Sequence, residues 1–136
     1  MDAYIAFVNA NDAAALDPVH ADLAEVNKHL SGHAREIIDG SFQAMKSAGQ
    51  AYRGTPPNPR VKVQSVLSSS FVILTSCPLQ NARNPSVEYY TATGKLVPVP
   101  SRKPPPPYRL TLPMKRTNGQ WQLMDILQDS GKTCAG

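Results

Sequence analysis

Asp125 is the strongest candidate for a catalytic residue in this sequence. It shares alternating strand parity with Trp121, Leu123 and Leu127, which would place its carboxylate on the inner face of a predicted strand. Burial there would raise the pKa of the carboxyl group toward the range of a general base. The alternative, which we favour, is a carboxylate that faces water near the strand end or forms a surface pair with a base such as Arg109.

Tyr4 and Tyr52 are the other side chains that could take part in chemistry. A tyrosine hydroxyl can donate a hydrogen bond to an oxyanion, although such residues more often fill a core with the hydroxyl in water. Together with Asp125 and Trp121, they are the residues expected to line a pocket. A catalytic pocket needs at least two convergent polar groups with shifted pKa values, and the sequence nominates one acid. It therefore favours a binding domain over an enzyme.

The histidines His20, His29 and His33 do not form a metal site by their spacing. His29 and His33 are four residues apart, as two ligands on one helix would be, but Ser31-Gly32 interrupts the helix between them. No third ligand is evident, and neither a phosphate-binding glycine loop nor a nucleophile paired with a base is present. We expect solvated histidines, no metal and no cofactor.

The sequence has two cysteines, Cys77 and Cys134, and neither belongs to a CxxC motif that would bind zinc. They could be two separate buried thiols, but Cys134 lies in a polar tail, residues 129–136, with nothing hydrophobic to bury it. We predict a Cys77–Cys134 disulfide, of the kind that persists in secreted proteins. Closing a loop of about 58 residues would contribute roughly 4 kcal/mol in the chain-entropy estimate.

One domain of 136 residues must position these side chains, with helices first and strands after them. A helical layer is predicted over about 2–49, in which Asp17-Pro18 begins the second helix and Gly49 ends the third. One apolar stripe marks the second helix: Val19, Leu23, Val26 and Leu30.

From about residue 50 to residue 128 the apolar period changes to two, which predicts an antiparallel sheet. Asn118-Gly119 is typical of a type I′ turn between two long strands, and Thr93-Gly94 predicts a shorter hairpin. The proline-rich stretch 98–107 predicts a polyproline-II connection. Residues 129–136 form the tail that the disulfide would tether.

Charge is distributed unevenly between the two halves of the chain. Residues 1–50 hold seven acidic and three basic residues, whereas residues 51–136 hold eleven basic and three acidic ones, so their balances are −4 and +8. The basic sheet half suits an anionic partner surface. Nucleic acid is disfavoured because there is no dense basic cluster and no RNA-binding aromatic motif. No apolar run approaches the roughly 20 residues that span a bilayer.

Several short motifs occur in an order that resembles the NTF2-like (SnoaL-like, cystatin-like cone) superfamily, and more narrowly its secreted and lipid-anchored actinobacterial domains. These motifs are Tyr4-Ile5-Ala6-Phe7, Ala48-Gly49-Gln50-Ala51-Tyr52, Cys77 after a mid-sheet strand, Gly119-Gln120-Trp121, and the closing Cys134. The relatives usually carry an acidic residue after the mid-sheet cysteine, where this chain has Pro78-Leu79-Gln80. The resemblance implies an α+β fold, an NTF2-like cone in which three N-terminal helices pack into a strongly curved antiparallel sheet.

The resemblance and the residues together predict an extracytoplasmic NTF2-like domain, a non-catalytic binding or accessory module. Its expected partner is a protein or a small hydrophobic ligand, and a homodimer through the sheet is a further expectation. The alternative is an isomerase or lyase of the SnoaL or ketosteroid-isomerase kind that acts on a small hydrophobic molecule in the cone. The opening Met1-Asp2-Ala3-Tyr4 lacks the regions of a signal peptide, so we expect a leader or anchor outside this sequence.

Overall fold

A computed structural model of the chain describes residues 1–54, 56–78, 87–98 and 108–133, with the backbone alone for residues 108 and 129–133. Within these ranges three helices precede two antiparallel sheets, so the protein is an α+β domain. The predicted polyproline connection and Cys134 lie outside the described residues, apart from Pro98.

The helices are α1 (Asp2–Leu16), α2 (Leu23–Asn27) and α3 (Gly32–Ala48). Helix α3 ends as predicted at Gly49, which has the left-handed φ of 65°. The prediction that the second helix begins at Asp17-Pro18 is wrong. The Asp17 carboxylate contacts His20 Nδ1 at 2.9 Å, whereas the carboxylate of Asp22 accepts the free backbone N–H groups at the start of α2.

The seven strands form two sheets. They are β1 (Gln50–Arg53), β2 (Arg60–Ser68), β3 (Phe71–Cys77), β4 (Val87–Tyr90), β5 (Tyr108–Thr117), β6 (Gln120–Leu123) and β7 (Leu127–Thr133). Strands β1 and β4 make a separate two-stranded sheet, and the main sheet has the order β2-β3-β5, with β6 and β7 both paired to the other side of β5.

The hairpin between β5 and β6 turns where the sequence predicts. Asn118 and Gly119 have φ angles of 53° and 79°, as the two central residues of a type I′ turn require. Asn118 is the one non-glycine residue with a positive φ in the described part of the chain. The turn sets the register in which Arg116 faces Trp121.

The strand after this turn is broken, which overturns the predicted parity of Leu127. Strand β6 ends at Leu123, and β7 begins at Leu127 after three residues outside any strand. Leu123 is 0% exposed on the inner face of the sheet, whereas Leu127 pairs with Thr111 on the outer face and is 46% exposed. The break arises because Met124 bonds to Pro113 and Ala34 through its backbone, while the Asp125 carboxylate accepts the N–H of Ile126.

The core lies between the inner face of the main sheet and the helical layer. Its fully buried members are apolar and come from both layers: Val26, Leu30, Ala34, Phe42, Leu74, Leu112 and Leu123. The connection between α2 and α3 also pairs with the edge of β6. Leu123 donates its N–H to His29 O at 2.8 Å and accepts the N–H of Ser31 at 2.9 Å, so Leu30 forms a parallel bridge with it.

The break in strand parity predicts very different costs for two leucine truncations. Leu123→Ala should lower the free energy of unfolding by about 2–5 kcal/mol, because it removes a fully buried side chain and leaves a cavity. Leu127→Ala, the matched control, should cost about 0.5 kcal/mol or less, as exposed positions usually do. Urea denaturation of both variants measures the difference. Equal costs would contradict the break.

Candidate functional site

An apolar groove with a volume of about 540 Å³ lies on the inner face of the main sheet. We call it the inner groove. Its floor and walls come from four strands and the start of α1: Val63, Val66, Val72, Leu74, Met114, Trp121 and Met1, Asp2, Ala3. The strand residues share one face because Val63 pairs with Leu74, and Val72 pairs with both Val66 and Met114.

The groove is open because β2 is an edge strand that the helices do not cover. Register shifts interrupt its pairing with β3 at Val63/Ser65 and at Val66/Ser68, and such bulges bend a strand. Val63 and Val66 remain 48% and 68% exposed. Two branched apolar side chains therefore face solvent within a concave surface.

The groove offers apolar contacts but few side chains that could take part in acid–base chemistry. Asp2, at the exposed start of α1, is the one titratable side chain among its lining residues. Trp121 is partly buried against the core and forms one wall of the groove. A volume of this size falls within the roughly 300–1,000 Å³ of small-molecule sites.

A second concavity lies between α1, α3 and β1, and its lining is more polar. This cleft has a volume of about 180 Å³ and an adjoining space of about 230 Å³, and the two share Asp12, Gly54 and Pro56. We call the two together the polar cleft. Burial raises the pKa of the Asp12 carboxyl group. Burial, and then the charge of Glu88, raise the pKa of Tyr52, which also lines the cleft.

Sequence reasoning missed Asp12, although a signal for it exists. Tyr4, Val8 and Asp12 follow one another at steps of four residues, which places Asp12 on the buried side of α1. An acid on the apolar stripe of a helix is unusual, and its position beside Tyr52 depends on how β1 packs against α1. That packing is not visible in either segment alone.

Tyr4 is a core residue and lines neither concavity. It is 5% exposed and packs against Phe7 with ring centroids 6.0 Å apart. Burial raises the pKa of its hydroxyl, the nearby hydroxyl of Ser76 opposes that shift, and the charge of Asp12 adds to it. The Ser76 Oγ is buried without a well-formed hydrogen bond in the described structure, so the contact with Tyr4 is close but poorly aligned.

Asp125 lies apart from both concavities, with His33 as its partner instead of an arginine. Its carboxylate lies 2.8 Å from His33 Nδ1 and accepts the backbone N–H of Ile126 at 2.8 Å. The hydrogen bond from His33, followed by that from Ile126, lowers the pKa of Asp125. A carboxyl group with a lowered pKa is a weaker base, and the contact with His33 joins α3 to the segment that follows β6.

Among the described residues, no three metal-ligating side chains come close enough to hold an ion. The described helices also include none that is long and apolar enough to cross a membrane. Cys77 is disulfide-bonded. Its predicted partner, Cys134, lies outside the described residues, and the pairing stays a prediction.

Comparison with known proteins assigns no family to the chain. No protein-family model and no curated protein matches it. The intermembrane-space region of the chloroplast protein ARC6 matches with a TM-score of 0.44 and 11% identity, over 91% of this chain and 97% of that chain. A putative calcium/calmodulin-dependent protein kinase II association domain from Xanthomonas campestris matches with a TM-score of 0.39 and 12% identity, over 93% and 85%.

The contact between His33 and Asp125 predicts a change in one titration. In the His33→Ala variant the pKa of Asp125 should rise toward its ordinary range, because the main group that stabilises the carboxylate is gone. NMR titration of the side-chain carboxyl carbons measures this. His20→Ala, which removes the exposed partner of Asp17, should leave Asp125 unchanged. Since the folded-state pKa is lowered, the stability that this contact contributes is lost as the pH falls through that value.

Thiol titration tests the predicted pairing of Cys77 with Cys134. The denatured, unreduced protein should contain no free thiol, and reduction should lower the Tm because the unfolded chain gains entropy. Cys77→Ser should expose one reactive thiol at Cys134. Two free thiols in the unreduced wild type would exclude the bond.

Proposed function

We propose that this chain is a non-catalytic binding domain of the NTF2-like type, which works outside the cytoplasm and holds a small, uncharged, apolar molecule in its inner groove. One observation carries the proposal. The groove exposes Val63 and Val66 on a concave apolar surface of about 540 Å³ that no described segment of the chain covers.

The size and lining of the groove favour a small molecule as the occupant. The volume suits a ligand of drug-like size, whereas a bound helix or strand would need a longer, continuous surface. Asp2 has the single charged side chain of the lining and stands at one end, so the other lining side chains give a charged ligand nothing to pair with. Met114 and Met1 contribute flexible side chains that can adapt to different apolar shapes.

A binding role is favoured over catalysis because the groove lacks a second polar group. General acid–base chemistry requires a positioned proton donor or acceptor that faces the reacting atoms. Asp125 is engaged with His33 and Ile126, and Tyr4 is packed in the core. Neither side chain reaches the groove lining.

The fold and the compartment in this proposal rest on separate observations. Three helices against an antiparallel sheet are compatible with an NTF2-like domain, and the bulges of β2 with the break after β6 support a strongly curved cone. The bonded state of Cys77 supports an oxidising compartment, as expected for a secreted protein. The proposal of a lipid-anchored or actinobacterial protein rests on the motif resemblance alone.

A second binding surface in this proposal is the outer face of the main sheet, where basic residues favour an anionic partner. Lys62 pairs with Thr75, and Lys115 pairs with Phe71, so both lysines lie on the face opposite the groove. Neither takes part in an ion pair among the described residues. This face is also the surface through which a homodimer would pair its sheets.

The isomerase or lyase alternative is favoured by one feature, the polar cleft. Asp12 and Tyr52 both line it, and both have a raised pKa. Two convergent groups with shifted pKa values are the minimum for acid–base chemistry. Tyr52 lines only the part of the cleft with a volume of about 180 Å³, which is below the roughly 300 Å³ of small-molecule sites, so we place this alternative second.

Binding in the inner groove can be measured with the neutral dye N-phenyl-1-naphthylamine, whose fluorescence rises in apolar sites. Dye binding should quench Trp121, the only tryptophan, because it forms a wall of the groove. Val63→Asp places a charge in the groove and should weaken binding at least about tenfold, or about 1.4 kcal/mol. Leu67→Asp, on the same strand and 62% exposed but outside the lining, is the control. Absence of dye binding, or equal loss in both variants, would contradict the proposal.

A further inference from the structure

The polar cleft contains a carboxylate that no cation of the described chain neutralises. Asp12 is partly buried on α1 and takes part in none of the ion pairs or hydrogen bonds of the described residues. Burial without a partner is what raises its pKa. A charge in this position is costly unless a ligand supplies the opposite one.

The basic residue nearest in sequence to the cleft is held elsewhere. Arg53 follows Tyr52 on β1, but its guanidinium donates a hydrogen bond to Gly94 O at 2.8 Å. It also stacks over the Tyr89 ring, 4.6 Å from the centroid. Because both contacts lie with β4 and its hairpin, Arg53 is not available to neutralise Asp12.

A second acid reinforces the negative charge around the cleft. Glu88 on β4 pairs directly with Tyr52 on β1, so the two side chains lie side by side on one face of the small sheet. Its charge reaches the Tyr52 hydroxyl, since it raises that pKa. Glu88 forms no ion pair among the described residues. Tyr52 thus lines a cleft with one carboxylate that lacks a cationic partner, Asp12, and pairs across the small sheet with a second, Glu88.

The rest of the lining decides which kind of cation fits. Tyr52, Phe42 and Met45 give the cleft aromatic and apolar walls, while Asn11 and Ser41 add an amide and a hydroxyl oxygen. Ca²⁺ or Mg²⁺ prefers a shell of six or more oxygen ligands, which one carboxylate with apolar walls does not provide. An organic ammonium ion needs one carboxylate and gains from contact with an aromatic face.

We propose that the polar cleft is a binding site for a small organic cation, a primary ammonium group on a short apolar stem. The ammonium pairs with Asp12 and donates hydrogen bonds to the oxygens of Asn11 and Ser41, and the stem packs against Tyr52 and Ile38. The site is separate from the inner groove, since the two share no lining residue. Binding in the polar cleft is therefore independent of whether the inner groove holds a ligand.

Titration with n-butylammonium chloride at constant ionic strength, followed by ¹H–¹⁵N NMR, tests the site. 1-Butanol, which has the same stem without the charge, is the matched probe. Butylammonium should shift the amides of residues 9–15, 38–45 and 52–54, and butanol should bind at least about tenfold more weakly. Equal affinity for the two probes, or shifts spread over all acidic surfaces, would overturn the proposal.

Two variants then separate the cleft from general electrostatics. Asp12→Asn should weaken butylammonium binding at least about tenfold and leave the fold intact, because it removes an unpaired buried charge. Glu36→Gln removes the same unit of charge from an exposed position on α3, outside the cleft lining, and should leave the affinity unchanged. Equal weakening in both variants would show attraction to the acidic helical layer alone. MgCl₂ at the same ionic strength should not displace butylammonium, and displacement would reassign the site to an inorganic cation.

Discussion

The backbone pairing of Leu123 with the α2–α3 connection is the contact on which the rest of the structure depends. Leu123 bonds to His29 and Ser31 on one side, and it pairs with Met114 of β5 on the other. A helical connection thereby becomes an additional edge of the main sheet, and it carries Leu30 into the core. Gly32, with a φ of 55°, allows the chain to leave this edge and begin α3 beside Met124.

The same contact explains why the groove opens at the opposite edge. Because residues 28–34 anchor the helical layer at β6, the helices cover the inner face of β5, β6 and part of β3. Only the start of α1 reaches toward β2, where Met1 and Ala3 form the end of the inner groove. One layer of three helices is too narrow for the whole sheet, and β2 is the strand that it leaves open.

The parts of the fold that the sequence predicts are those set by local chemistry. Asn118-Gly119 determines its turn, and Gly49 ends α3, because both residues adopt backbone angles that most side chains avoid. Leu127 was assigned to the wrong face because strand alternation assumes an unbroken strand, whereas at the break Met124 accepts the N–H of Ala34 and Asp125 contacts His33, both about 90 positions earlier in the chain. Strand parity carries no information about such long-range contacts.

The site residues follow the same division between local and long-range causes. Trp121 lines the inner groove because the adjacent turn sets its register, whereas Asp125 and Tyr4, which were also expected in the pocket, lie outside both concavities. The Asp125 carboxylate instead contacts His33, which helix α3 brings from the other half of the chain. Asp12 was missed because its significance lies in what it lacks, a cationic partner, and that is a property of the packed structure.

Because acidic and basic residues are segregated along the sequence, the three surfaces of the domain differ in local charge, and with it in the kind of ligand proposed for each. The acidic half of the sequence supplies α1, which brings Asp12 to the polar cleft, and the basic half supplies the outer face with Lys62 and Lys115. The inner groove lies between them and has an apolar lining. An ion is favoured in proportion to the local charge, and a neutral molecule in proportion to the apolar area it buries. The three proposed ligands therefore differ in charge, and the sheet separates the groove from the lysines by placing them on opposite faces.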